Sequence, residues 1–105
     1  MRGREYEDRA VSYLKKRRYE IISRNYRTRF GEIDIIAREG KTLVFVEVKG
    51  GKENPRFRVN RDKMRKIELT ANHFLNTHDV TYSEIRLDVI EITSDGVKHF
   101  KGISI

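Results

Sequence analysis

Gly31-Glu32-Ile33-Asp34-Ile35-Ile36, followed by Leu43-Val44-Phe45-Val46-Glu47-Val48-Lys49, decides how this chain folds. Both runs are rich in β-branched and aromatic residues, and Glu39-Gly40-Lys41 between them reads as a turn, so they predict two consecutive strands. Embedded in them are two carboxylates and an amine. Such groups sit in buried strands only when something pairs with them. Side chains alternate along a strand, which sets Asp34 on the side opposite Ile33 and Ile35. By the same rule Glu47 and Lys49 share a face, with Val44, Val46 and Val48 on the other. An even-length hairpin loop, for instance 39–42, brings Asp34 directly opposite Glu47, their Cβ atoms about 5 Å apart.

Two carboxylates that close repel unless a cation or proton lies between them. The pair suits Mg²⁺, with Mn²⁺ as a second choice, because hard ions take oxygen ligands and keep several waters for a phosphate substrate. Lys49, on the same face, is placed to neutralise charge on that substrate or to orient a water. A third acid comes from upstream. Residues 4–18 predict a helix in which Glu7, Ala10, Val11 and Leu14 fall on one face, so Glu7 points inward. Taken singly, each residue has a plainer reading: a same-face ion pair for Glu47 and Lys49, a first-turn acid for Glu7, a buried acceptor for Asp34. Their convergence in one place favours a site.

Outward from the motif, Lys15 to Arg18 end the first helix with cations, and 19–26 reads as a strand preceding the second at 32–38 and the third at 42–49. Gly50 to Pro55 is a loop. Asn60 is a plausible N-cap for a helix over 61–77 with Met64, Ile67, Ala71, Phe74 and Leu75 as its apolar stripe. Glu84 to Ile92 alternates as a fourth strand, Ser94-Asp95-Gly96 turns the chain, and 97–101 closes it. The order α-β-β-β-α-β-β predicts an α/β or α+β domain on a mixed sheet.

Composition narrows the chemistry. The 105 residues suffice for one domain spanning 1–105, and the absence of cysteine removes disulfides, thiolate zinc sites and cysteine nucleophiles together. No apolar run suits a bilayer span and no signal peptide is read, so the expected location is cytoplasmic, with no membrane partner. The net charge of +7 is unevenly placed. Residues 1–29 carry ten Lys/Arg against four acids and 52–66 carry seven against two, whereas 30–51 and 67–105 are net acidic. Basic segments bracketing an acidic motif predict a polyanionic partner, nucleic acid above all.

The two quoted runs resemble the signature of the bacterial YraN-like family, which belongs to the PD-(D/E)XK nuclease superfamily and is similar to archaeal Holliday-junction resolvases. The likeness extends over nearly the whole chain, through Glu7-Asp8-Arg9-Ala10, Arg24-Asn25-Tyr26-Arg27, Lys63 with Ile67 and Ala71, and Arg86-Leu87-Asp88-Val89. It implies a restriction-endonuclease-like sheet flanked by helices, with Asp34, Glu47 and Lys49 in the metal and catalytic positions and Glu7 supporting them. One departure stands out: the family usually carries an arginine two residues after the motif lysine, where this chain has Gly51. Lys52 or Arg56 is the candidate substitute.

Arg56, Arg58, Arg61 and Lys63 are expected phosphate contacts, and Arg27 and Arg29 join them on the approach to the second strand. The basic residues of the second helix cannot all point one way. His73, His78 and His99 lack ligand spacing and read as surface or packing residues. Tyr6, Tyr13, Tyr19 and Tyr26 read as core and rim. The expected function is metal-dependent hydrolysis of DNA phosphodiester bonds, in branched or distorted DNA, by a protein whose two-fold pairing as a homodimer would suit a symmetric junction. The alternative is a non-catalytic nucleic-acid-binding protein that retains the fold.

Overall fold

The structure, a computed structural model, describes residues 3–50 and 61–103. Helix α1 (Gly3–Lys16) is followed by β1 (Glu20–Thr28), β2 (Gly31–Glu39), β3 (Thr42–Gly50), helix α2 (Arg61–Thr77), β4 (Glu84–Thr93) and β5 (Gly96–Phe100). The predicted α/β order is therefore the observed one. Asn60, the expected cap of α2, lies outside the described residues. No helix among them is long and apolar enough to cross a membrane.

The five strands form one sheet in the order β1-β2-β3-β4-β5. All neighbours are antiparallel except β3 and β4, which run parallel and are joined through α2 as a crossover. Each face carries one helix. Ala10, Val11 and Leu14 of α1 pack on Ile35, Ala37, Val44, Val46 and Ile90, while Ile67 and Phe74 of α2 pack on Ile33, Ile36, Leu43 and Phe45. Cover on both faces is why β2 and β3 read as nearly unbroken apolar runs.

α1 stops short of the predicted residue 18. Arg18 adopts a left-handed φ of 68°. Its N–H donates to Lys15 C=O and that of Tyr19 to Leu14 C=O, each at 3.0 Å. This is the helix-ending arrangement usually given to glycine. At the far end of β3, Gly50 is required by contact: a Cβ there would overlap the Tyr6 ring of α1. The strand that carries Lys49 is thereby seated against the helix that carries Glu7.

One expectation fails. Ile33 and Ile35 do not share a face, because Ile33 packs in the α2 core and Ile35 in the α1 core. The same break occurs across the ladder, where Arg24 pairs with Ile35 and Tyr26 with Ile33. Arg24 turns to Asp8 of α1, while Tyr26 packs edge-on against Phe74 of α2. Between them Asn25 has a φ of 55°, a conformation asparagine tolerates better than other side chains with a Cβ. Asp34 is the residue facing that irregular step, so simple alternation does not govern it.

Candidate metal and nucleic-acid site

The β2–β3 hairpin closes on Gly40 and Lys41, with Glu39 paired to Thr42 and Gly40 supplying a φ of 60°. Its ladder runs to Ile35–Val46. Counting one step further sets Asp34 against Glu47, as the parity of the loop predicts. There the Asp34 side chain takes a backbone role: Val48 N–H donates to its Oδ2 at 2.7 Å. Glu47 and Lys49 project toward α2, opposite the valines at 44, 46 and 48, which lie in or against the α1 core.

Asp34, Glu47, Lys49 and Lys63 line one cleft of about 660 Å³ between the strand ends and the start of α2, with Lys66 at its wall. Glu47 is 5% exposed. Lys63 Nζ lies 3.3 Å from its Oε2. Burial, and then the Glu47 charge, push the Asp34 carboxyl up to about 7, with Glu7 and Glu32 adding to the effect and the Val48 N–H opposing it. Glu47 is also raised, by burial, while Lys63 and Lys49 pull it back. Lys49 is held below the ordinary lysine value by burial and by the adjoining Lys63 amine, with Glu47 and Asp34 acting the other way.

Glu7 belongs to a second cleft, of about 830 Å³, on the α1 side, and Asp34 lines both. Glu7 points inward as expected and is held there by Asn25, whose Nδ2 donates to its Oε1 at 3.0 Å. Arg24 lies 3.7 Å from the same oxygen. Glu32 also borders both clefts and was not legible as a site residue, since its motif position suggested only a strand start. Asn25 was missed as well; its signal was an asparagine inside a β-branched strand.

The expected phosphate contacts separate. Arg27 lines the Glu7 cleft and pairs with Glu32 at 3.4 Å. Arg29 lies over the Phe30 ring, 5.0 Å from its centre. Lys63 and Lys66 face the acidic cleft, whereas Arg61 and Arg65 border an apolar groove with Met64 and Ile85, so the basic residues of α2 divide between two faces. Gly51, Lys52, Arg56 and Arg58 lie outside the described residues. Glu91 of β4 is in register with Lys49, and its buried Oε1 has no hydrogen-bond partner among the described residues.

Could these residues hold a divalent ion? Among the described residues no three His, Asp or Glu side chains converge as a ready-made metal cage. Two carboxylates on one open cleft suit instead an ion that retains several waters, as Mg²⁺ does. The upward push on Asp34 is what a cation there would relieve. The donor set fits.

The histidines serve packing. His78 stacks on Phe74 at 4.3 Å and His73 bonds the Tyr26 hydroxyl at 2.7 Å. His99 joins a polar network on the α1 face around Asp88, which is fully buried. Arg86 donates to both Asp88 oxygens at 2.8 and 2.9 Å, His99 Nε2 lies 2.7 Å from Oδ2, and Gly102 N–H donates at 3.1 Å.

Comparison with known proteins agrees with the sequence signature. Residues 6–92 match the model of "Uncharacterised protein family UPF0102". A UPF0102 protein of Kosmotoga olearia is 51% identical over 97% of this chain and 91% of its own length. One of Pseudothermotoga lettingae is 50% identical with both chains covered completely. One of Thermotoga maritima is 43% identical over 98% of this chain and 96% of its own. With a match of this extent across the motif strands, both helices and most of β4, the chain belongs to the UPF0102 family, the YraN-like group that its motif resembles.

Proposed function

We propose that this protein is a divalent-metal-dependent nuclease of the restriction-endonuclease-like type, hydrolysing DNA phosphodiester bonds in branched or distorted DNA. The observation that carries the reading is the convergence of Asp34, Glu47 and Lys49 on one cleft, where burial and then the neighbouring acids raise the Asp34 carboxyl to about 7. A carboxylate pair crowded in this way is poised for a cation rather than for stability. Asp34 and Glu47 are the residues that would hold Mg²⁺ or Mn²⁺. When bound, such an ion stabilises charge on the phosphodiester and lowers the pKa of a coordinated water.

The chain's own groups supply the remainder. Lys49, lowered by burial and by Lys63, can give up or hold a proton at Nζ closer to neutral pH than an exposed lysine. On the same sheet face as Glu47 it is placed to contact a phosphate oxygen. Glu7, fixed by Asn25, adds negative charge on the far side of Asp34. Lys66 on one side and Arg27 on the other border the path of a backbone across Asp34. A homodimer would present two such clefts to a symmetric branched substrate.

The test is incubation with linear, nicked, flapped and four-way DNA in Mg²⁺ and in Mn²⁺. Wild type should cleave at least one of them. Asp34→Ala and Lys49→Ala should each lower the rate by at least ~100-fold, with DNA affinity within about threefold because base-independent phosphate contacts remain. A wild type that binds all four and cleaves none would establish the non-catalytic alternative.

A further inference from the structure

Lys63 reaches the acidic pair from the first turn of α2, not from the motif strands. Its Nζ stands 3.3 Å from Glu47 Oε2, and the Glu47 side chain is 7% exposed. A carboxylate buried to that degree needs a counter-charge, and removing the charge without replacement is costly. The Lys63 side chain is itself 37% exposed, so it is much less enclosed than the carboxylate it meets. An ammonium on a four-carbon stem is a mobile point charge, unlike a guanidinium clamped across two oxygens. Arg86 shows the clamped alternative within this molecule, with both Asp88 oxygens engaged.

We propose that Lys63 is the exchangeable counter-cation of the site: it neutralises Glu47 until a divalent cation takes that place, and its ammonium then turns to the cleft mouth to meet a substrate phosphate. The inference rests on the metal-dependent reading above and adds an ordered exchange that this reading does not require. A divalent ion and an ammonium held on the same Glu47 carboxylate repel each other, whichever oxygen each takes. Lys63 and the divalent ion are therefore competitors for Glu47, although the same lysine later serves the substrate. Lys66 borders the same cleft from one turn further along α2. Lys66 makes no ion pair with an acid among the described residues, so it provides the control for charge alone.

Calorimetric titration with Mn²⁺ alone, without DNA, separates the cases. Lys63→Met keeps the apolar stem and removes the charge, and Lys63→Gln guards against a packing fault in the methionine variant. Both should bind Mn²⁺ about tenfold more tightly than wild type, whereas Lys66→Met should change affinity less than about threefold. Binding to the Lys63 variants where wild type binds nothing measurable would support the exchange even more strongly. Unchanged or weaker binding in folded Lys63 variants, or an equal gain in Lys66→Met, would overturn it. Crystals of wild type soaked in Mn²⁺ should show Lys63 Nζ withdrawn from Glu47, and an intact pair beside a bound ion would overturn it too. The two readings fail separately. Absent cleavage with normal Mn²⁺ binding sinks hydrolysis and leaves the exchange, while Mn²⁺ binding insensitive to Lys63 does the reverse. Should neither wild type nor variant bind Mn²⁺, both fall.

Discussion

Asp88 and Asp34 are carboxylates on nearby strands of one sheet, and the protein treats them in opposite ways. Asp88, on the α1 face, is fully buried yet its pKa is lowered. Burial alone would raise it, but hydrogen bonds from His99, Arg86 and the Gly102 N–H outweigh that effect. Asp34 is half-buried beside Glu47, Glu7 and Glu32, and burial, followed by the charges of those acids, drives it up to about 7. Burial by itself thus marks neither structure nor function. The sign of what surrounds the group does. The Asp88 network is closed, tying β4, β5 and Tyr19 together through Arg86, and it leaves nothing for a ligand. The Asp34 carboxyl instead lies beside other acids on an open cleft, which is the condition of a site waiting for a cation.

The largest effect should come from breaking the closed network. Asp88→Ala leaves Arg86 facing the interior without its bidentate partner, and should cost ~3–5 kcal/mol in urea unfolding at pH 7. Because Asp88 is lowered in the fold, its contribution is present above the unfolded carboxylate value. It is lost as pH falls through the folded value, so wild type and variant should converge in acid.

The open cluster should show the reverse sign. Asp34→Asn keeps an acceptor for Val48 N–H and removes the charge. It should stabilise the protein by ~1–3 kcal/mol at pH 8, where the Asp34 carboxylate is ionised among acids. The folded value of about 7 lies above the ordinary value of 3.8, so the wild-type penalty grows from the lower to the higher pH and vanishes below the lower. Thermal melts from pH 3.5 to 8.5 measure it. A destabilised variant at pH 8 would erase the contrast with Asp88.

The smallest effect concerns the irregular step that faces Asp34. Asn25→Gly retains the positive φ and loses the bond to Glu7, whereas Asn25→Ala loses both. The alanine variant should melt lower than the glycine variant by the equivalent of ~1 kcal/mol, the cost of a Cβ in that conformation. Equal melting would mean that the backbone relaxes and that the step is not imposed by the ladder.

Much of this was legible in the chain. α2 occupies 61–77 as its apolar spacing indicates, and the inward turn of Glu7 follows from its place one turn before Ala10 and Val11. The shared face of Glu47 and Lys49 follows from strand parity, which holds wherever the ladder is regular. The Asp34–Glu47 pairing followed from the loop, but the face taken by Ile33 was not readable because parity fails at the Asn25 step, a feature of two strands together. Lys63 looked like a surface phosphate contact, since nothing in α2 reveals that its first turn lies over Glu47. The Asp88 network draws on residues 19, 39, 86, 88, 99 and 102, separations over which no periodicity operates.

By itself the sequence determined the element order, the burial of the β2 and β3 runs and the pairing of two acids with a lysine, because alternation and helical spacing are local properties of the backbone. Only the tertiary structure decided which charges meet. It set Lys63 against Glu47, Asn25 against Glu7 and Arg86 against Asp88, since each contact depends on how a helix or a distant strand is laid across the sheet.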